Sequence, residues 1–390
     1  MVIIRRLQIK KIARIIDLQK TLSEKSCFLF GPRQTGKSFL IKEIFPDKKL
    51  YDLLDSEVYF KLARNPKLIE QEISSLSFKD KIVIIDEIQK LPHLLDEVHR
   101  LIEKGFKFLL TGSSPRKLRR GGINLLGGRA RYKVLHPFCY KELGNLFRLE
   151  KVMNYGLLPS IYFSNSPEED LRAYAGLYLQ EEIAAESLVR NIPAFGRFLQ
   201  IGAIMNGQLI NYSKIASDSQ VASSTVQEYF QILKDTLIAF EVTSWKKTVK
   251  RKPISTSKFY FFDTGVTRIL QNRSFLNKGT PEFGFAFEHW LFHELKCFVD
   301  YKNLPDLYYW RSQSGYEVDF IISDTLAIEV KGKSFVTERD IVPLKIFQEE
   351  AKIPYSIVVS MDEVPRKIEN ILILPWKEFL ERLWGGELGI

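Results

Sequence analysis

Over the first 140 residues, short apolar runs of strand length alternate with stretches whose apolar positions recur at helical spacing. The runs Cys27–Phe30, Leu50–Leu54, Ile82–Ile85 and Phe108–Leu110 are separated by helical patterns, which is how a parallel sheet with crossover helices is written. Residues 1–24 read as a leading helix, with Ile4, Leu7, Ile12, Ile15, Ile16 and Leu22 on one broad face. From Lys141 to residue 193 the pattern turns mostly helical, punctuated by Pro159, Pro167 and Pro193. Residues 194–258 predict three helices, Phe195–Met205, Tyr212–Ser217 and one after Ser223, and then two β-rich runs, Ile238–Trp245 and Lys258–Phe262. The remainder predicts a helix around Glu282–Cys297, strands at Leu307–Trp310, Glu317–Ile322, Leu326–Val330 and Ser356–Ser360, and terminal helices. The expectation is an α/β chain of four units, 1–140, 141–193, 194–258 and 259–390.

Length agrees, since 390 residues exceed one ordinary core. With 45% hydrophobic and 27% charged residues the composition is that of a globular chain and excludes a disordered or collagen-like one. No apolar stretch is long enough for a membrane span, and the basic residues that interrupt the N-terminal apolar positions argue against a secretory segment. Cys27, Cys139 and Cys297 are odd in number and far apart, so neither a disulfide framework nor a zinc knuckle is expected and a reducing, cytoplasmic setting is. A formal charge of +10 biases the chain toward polyanions, nucleic acid first.

The segment Gly31-Pro32-Arg33-Gln34-Thr35-Gly36-Lys37-Ser38 matches G-x-x-x-x-G-K-[ST] between a buried strand and an amphipathic stretch beginning at Phe39. Such a loop wraps backbone N–H groups around the phosphates of ATP at a helix N-terminus, with Lys37 on the terminal phosphates and Ser38 on Mg²⁺. Residues 31–39 are therefore the expected nucleotide contacts. The run Ile82–Glu87 places Asp86 and Glu87 at a strand end. Taken alone that pair equally describes an exposed loop; beside a phosphate loop, Asp86 holds the metal's water shell and Glu87 orients the attacking water. Thr111-Gly-Ser-Ser114 ends another strand, and Ser113 is the candidate γ-phosphate sensor. Arg129, ahead of Arg131, is the candidate for reaching a neighbouring subunit's nucleotide, which would make the protein a homo-oligomer; an ordinary solvated arginine is the alternative.

These residues, with Asp86-Glu-Ile-Gln-Lys90, Gly128-Arg129, His136-Pro-Phe138, Glu142, Gly156-Leu-Leu-Pro159 and the C-terminal Glu-Val-Asp and Glu-Val-Lys, resemble the prokaryotic AAA+ ATPases whose phosphate loop reads GPRQxGK[ST] and whose C-terminal region was long known only as a domain of unknown function. The resemblance covers nearly the full length. It implies an AAA+ core, residues 1–140, with a helical lid, 141–193, and leaves the second sensor unassigned.

Near the C-terminus, Gly315-Tyr-Glu-Val-Asp-Phe-Ile-Ile322 and Leu326-Ala-Ile-Glu-Val-Lys-Gly332 flank a turn and place charges inside apolar strands, where they are costly. Glu329 and Lys331 share a strand face, and Asp319 on the partner strand can join them. This looks like the D-x(n)-E-x-K arrangement of restriction-endonuclease-like nucleases. That likeness implies Asp319 and Glu329 on Mg²⁺, Lys331 on the attacking water, and Glu288 as the preceding acidic helix residue. A salt-bridged hairpin face is the bland alternative, and such a fold can also persist as a DNA-binding shell.

Between Arg116 and Arg148 nine basic residues accompany one acidic residue, Glu142. The order helix, helix, helix, hairpin over 194–258 outlines a winged helix. Its expected wing carries Lys246, Lys247, Lys250, Arg251 and Lys252, with Trp245, Lys258, Tyr260 and Phe261 alongside. Its expected recognition helix opens on Ser223, Ser224, Thr225 and Gln227. The functional expectation is a DNA-directed ATPase, acting on branched or single-stranded DNA among other forms, with Mg²⁺-dependent cleavage by the last unit. A non-cleaving remodeller or regulatory switch, and a protein-interaction switch without DNA, are the alternatives.

Overall fold

The structure, a computed structural model, describes residues 12–74, 81–116, 118, 126–178, 183, 189, 191–247 and 254–390. Among them no helix is long and apolar enough to cross a membrane.

Five strands, β1 (Ser26–Phe30), β2 (Lys49–Asp52), β3 (Ile82–Asp86), β4 (Lys107–Gly112) and β5 (Ala130–Val134), form a parallel sheet in the order β2-β3-β4-β1-β5. Side-chain alternation along a strand sends Phe28, Phe30, Val83, Ile85, Phe108 and Leu110 to one face, against the Leu94–Glu103 helix. Cys27, Leu29, Ile84 and Leu109 go to the other, against Leu18, Leu22, Leu40 and Ile41. Both faces are covered, which is why these strands read as unbroken apolar runs. This is the sheet typical of a P-loop AAA core, and it places the loop after β1 at the carboxyl ends of β1, β3 and β4.

Two local expectations change here. The described part of the leading helix is only Leu18–Glu24, capped by Asp17, whose carboxylate accepts from Lys20 N at 2.8 Å. Residues 12–16 run without helix, because Arg14 is drawn inward by three acceptors described below. Strand β5 was not anticipated: its Arg131 and Tyr132 are exposed at the sheet edge, and Val134 alone is buried, too little to write a pattern.

The second sheet is mixed and eight-stranded, in the order β12-β13-β11-β10-β9-β8-β6-β7. Its strands are β6 (Ala239–Ser244), β7 (Lys258–Phe261), β8 (Tyr308–Arg311), β9 (Glu317–Ile322), β10 (Leu326–Lys331), β11 (Tyr355–Ser360), β12 (Arg366–Ile368) and β13 (Ile371–Pro375). Phe320, Ile328, Val330 and Val359 pack under the long Pro281–Lys302 helix, while Ile321, Ala327 and Val358 pack on the Val342–Gln348 helix. Where terminal helices alone were expected, β12 and β13 precede a single Trp376–Gly385 helix.

The three helices Ile192–Ile204, Tyr212–Ser219 and Ser223–Asp235 pack Phe195, Phe198, Val226 and Phe230 onto Phe259 and Phe261 of β7. The β6–β7 hairpin that follows them is not a free wing. β6 pairs in parallel with β8, Thr243 opposite Tyr308, so the hairpin forms one end of the C-terminal sheet. Trp245, expected beside the wing, is buried, with its ring 5.2 Å from Phe347 and its indole N–H donating to Asp324 at 2.7 Å. Lys258, Tyr260 and Phe261 are buried as well. Aromatic strand residues of this kind are more favourably placed in a core than on a solvated loop.

The Pro281–Lys302 helix also docks on the first sheet's carboxyl side. His136 Nε2 meets Asp300 at 2.7 Å, and Tyr140 N donates to both oxygens of the fully buried Glu294 at 2.9 and 3.0 Å. Burial lifts the Glu294 carboxyl to about 8; the bonds from Tyr140 N and Trp290 Nε1 oppose the rise, and Glu142 adds to it. Between pH 4.5 and about 8 the native state thus holds a proton that the unfolded chain has released, so this group's contribution falls as pH rises. Glu294→Gln should flatten that decline by roughly a few kcal/mol at pH 8. Urea midpoints of both proteins from pH 5 to 8.5 check this, and parallel pH curves would rule it out.

Candidate functional site

Gly36, at φ +94°, turns the chain into the Lys37–Ile44 helix; a side chain there would be strained. Lys37 is folded back, its Nζ donating to the carbonyls of Gly31 at 2.7 Å and Pro32 at 3.1 Å. Ser38 Oγ donates to Asp86 at 2.8 Å, so the hydroxyl and the carboxylate expected on one metal ion already meet. The other Asp86 oxygen accepts from Thr111 Oγ1. The donor set of one hydroxyl and one carboxylate beside a phosphate loop suits Mg²⁺, which retains most of its waters.

Glu87 has a left-handed backbone, φ 61°, which turns its side chain away from the strand direction. Its carboxylate accepts from Gln89 Nε2, which also donates to Ser113 Oγ at 3.1 Å. Burial raises the Glu87 carboxyl, opposed by the Lys37 ammonium and reinforced by Asp86. Gln89 stands in a motif that carries the resemblance but was given no role from sequence. The signal was Gly112, where a Cβ would come within 2.3 Å of Gln89 Oε1, so a bare backbone is what makes room for that amide. Gln89→Ala should lower turnover about tenfold without loosening nucleotide binding, by freeing Glu87 to rotate. Phosphate-release kinetics beside nucleotide titration read the split, and an equal loss in both would rule out the positioning role.

Next to the loop lies a cavity of about 1040 Å³ lined by Ile12, Phe39, Phe138, Phe163, Gln34 and Ser160 among others. Its far wall is the helical stretch after Tyr140, tied to the loop by Ser160 Oγ to Gln34 Oε1 at 2.6 Å and Tyr174 OH to the Arg33 carbonyl at 3.3 Å. Under the loop, Arg14 donates to the Thr35 carbonyl at 2.8 Å, the His136 carbonyl at 2.6 Å and Glu142 at 2.9 Å. Arg14 also escaped the sequence reading, hidden in an apolar run that passed for helix.

Arg129 precedes β5, whose first residue pairs with Ser26, so it stands at the opposite end of the sheet from the loop. It is partly exposed and meets Glu103 at 3.0 Å. Arg131 pairs with Glu24.

In the second sheet Asp319, Glu329, Lys331 and Glu288 do converge. Lys331 pairs with Glu329, and Asp319 accepts from Val330 N at 2.8 Å. The register slips between β8 and β9, and Val318 and Ile321, three apart, pack in the same cluster. Burial drives the Asp319 carboxyl well up, Glu329 and Glu288 adding to the rise. Burial likewise lifts Glu329 to about 7, against the pull of Lys331. Asp319 and Glu329, expected on Mg²⁺, are thus engaged by Val330 N and Lys331 in this arrangement. Glu288 is bonded by Tyr260 OH at 2.6 Å and approached by Lys258 at 3.7 Å, and the neighbouring Glu317 is held by Lys258 and by Arg311 at 2.9 Å. Among the described residues no group of three or more His, Cys, Asp or Glu is disposed to hold a metal ion.

Of the expected nucleic-acid contacts, Ser224 and Gln227 are exposed at the start of their helix and Ser223 and Thr225 are half-buried. Lys246 and Lys247 are exposed, Lys247 pairing with Asp324 at 2.5 Å. Lys250, Arg251 and Lys252 lie outside the described residues, as do Lys117, Arg119 and Arg120.

Residues 23–144 match the family model of an AAA domain, so the chain carries such a domain in its N-terminal part. Residues 146–276 and 283–379 match two domains of unknown function, DUF8612 and DUF4143. An uncharacterized protein of Mycobacterium tuberculosis is 27% identical over 323 residues, covering 79% of this chain and 68% of its own length. An uncharacterized protein of Methanocaldococcus jannaschii is 26% identical over 357 residues, with 82% and 78% covered. Among solved structures, a signal transduction ATPase with numerous domains (STAND) with a tetratricopeptide repeat sensor, from Pyrococcus horikoshii, overlays at TM-score 0.24 and 15% identity. It covers 73% of this chain, which spans about half of that one, 48%. Domain III of the Thermotoga maritima replication initiation protein DnaA overlays at TM-score 0.20 and 16% identity, covering 54% of this chain and 84% of that chain. At TM-scores this low neither overlay bears on activity.

Proposed function

We propose that the chain is an ATP-hydrolysing switch whose nucleotide state governs how its C-terminal half engages DNA, without cutting it. The observation that carries the reading is the meeting of Ser38 with Asp86, and the bridging of Glu87 and Ser113 by Gln89, at the carboxyl ends of β1, β3 and β4. Loop amides of residues 31–38 and Lys37 would hold the phosphates, and Phe39 and the apolar cavity the base. Ser38 and Asp86 would hold Mg²⁺, which supplies charge neutralisation between the phosphates. Glu87 would orient water and Ser113 would sense the terminal phosphate. Arg129, at the far end of its own sheet from the loop, would act on a neighbour's nucleotide if it acts on one at all; as an ordinary solvated arginine it would simply pair with Glu103.

DNA engagement is supported by the net charge of +10 and the exposed Lys246 and Lys247. Cleavage by Asp319, Glu329 and Lys331 with Glu288 is the rival reading. It is disfavoured by the lysine, tyrosine and arginine groups that already engage the acidic cluster. Phosphate release by the purified chain with Mg²⁺, with and without DNA, tests the first part; no turnover in either would end the proposal. For DNA, Lys246→Ala/Lys247→Ala should flatten log affinity against log salt by about one to two units. An unchanged slope would remove these contacts. Mg²⁺-dependent nicking by wild type but not by Asp319→Ala would restore the rival.

A further inference from the structure

A lysine absent from the nuclease-like pattern closes the acidic cluster of β9 and β10. Lys258 opens β7 and is only 2% exposed. Its ammonium pairs with Glu317, lies 3.7 Å from Glu288 Oε1 and sits over the Tyr309 ring, 5.5 Å from the centroid. Two residues on, and therefore on the same strand face, Tyr260 donates to the same Glu288 oxygen at 2.6 Å. Burial would lower the Lys258 ammonium, but Glu288, Glu317 and Asp319 more than offset it and hold it charged.

The charges nearly balance within the cluster. Glu288, Glu317, Asp319 and Glu329 face Lys258, Lys331 and Arg311. One proton on Asp319 or Glu329 would complete neutrality, and Glu329 Oε2, buried with no hydrogen-bond partner among the described residues, is a place for it. A divalent ion would need several of these oxygens at about 2.0–2.6 Å. It would have to strip Glu317 from Lys258 and Glu288 from Tyr260, and then share a poorly solvated space with an ammonium. Access does not forbid it: a cavity of about 420 Å³ lined by Lys258, Glu288, Arg311, Glu317 and Gln208 adjoins the cluster and is open on one side. Exclusion is electrostatic.

We propose that Lys258 is an internal cation standing where a divalent metal would bind, so that the C-terminal carboxylate cluster is a metal-free, charge-balanced site. The inference deepens the non-cleaving reading and rests on it for its biological meaning. It uses nothing of the phosphate loop, and its test involves neither ATP nor DNA, so the two can fail separately. The full chain, free of nucleotide, is titrated with Mn²⁺ while free Mn²⁺ is followed by electron paramagnetic resonance. Wild type and Lys258→Arg should show no binding that Asp319→Asn removes. Lys258→Met should gain one site at least tenfold tighter than any in wild type, and Lys258→Met/Asp319→Asn should lose it. Lys258→Gln, judged in the same way, replaces Lys258→Met if circular dichroism shows the latter unfolded. A wild-type Mn²⁺ site abolished by Asp319→Asn overturns the proposal, as does a folded Lys258→Met or Lys258→Gln that gains no site.

Discussion

Replacing Glu87 with glutamine is expected to lower ATP turnover by roughly two to four orders of magnitude while nucleotide affinity stays near wild type. Phosphoryl transfer asks the protein for placement and charge rather than covalent chemistry, so the loss of one water-orienting carboxylate falls on kcat. Glutamine keeps the shape, and its carbonyl can still accept from Gln89 Nε2, so the sensor strand keeps its link to Ser113. What disappears is the negative charge beside Lys37, one of the groups that act on the Glu87 carboxyl. Because burial raises that carboxyl, wild-type turnover should climb from the acid side as Glu87 ionises, and Glu87→Gln should lack the climb. Phosphate-release rates across pH, beside equilibrium nucleotide binding, measure both effects. A variant within about tenfold of wild type would mean that another group positions the water.

The phosphate loop was legible because its chemistry is carried by main chain: two glycines, a lysine and a hydroxyl at fixed spacing between a buried strand and a helix need no distant partner. The central strands were legible for a related reason, since burial on both faces leaves continuous apolar runs. An edge strand with mostly solvated side chains leaves no such trace, and so β5, with Arg131 and Tyr132 exposed, was missed, whereas β2 at the other edge still carried an apolar Leu50 and Tyr51. Residues that act by bridging distant segments were hidden too. Arg14 looked like one basic position in an amphipathic helix, and its acceptors lie 21 to 128 residues away. Lys258 read as part of a basic wing because a lysine beside aromatics describes a solvated edge as well as a buried counter-ion. Periodicity gave the β6–β7 hairpin but not its neighbour, and only the pairing of Thr243 with Tyr308 joins it to the C-terminal sheet.

Arg14→Met is expected to destabilise the chain by roughly 3–5 kcal/mol, the range for breaking a buried ion pair from one side. The guanidinium is almost wholly enclosed, and Glu142, its partner, has no exposed side-chain surface. Burial disfavours the charge on Arg14, but Glu142 and the nearby Tyr301 more than offset this and hold it firmly protonated. Methionine fills much of the volume but leaves the Glu142 carboxylate, among the described residues, with the backbone donors Ile15 N at 3.0 Å and Cys139 N at 3.2 Å and no charged partner. Lysine should restore little, because a single ammonium cannot span the Thr35 carbonyl, the His136 carbonyl and Glu142 together as the planar fork does. The same fork links function to fold. Thr35 belongs to the phosphate loop, and a few residues beyond His136, Tyr140 N grips Glu294 of the helix that carries Glu288. Under the proposed coupling of nucleotide to DNA, a folded Arg14→Lys protein should hydrolyse ATP with a weakened response to DNA, because loop movements would no longer reach that helix through a rigid bridge. Urea midpoints for both variants and DNA stimulation of Arg14→Lys are the measurements. A loss under about 1 kcal/mol for Arg14→Met would show that Arg14 is not the keystone of this junction, and full DNA stimulation of Arg14→Lys that it does not transmit loop movements.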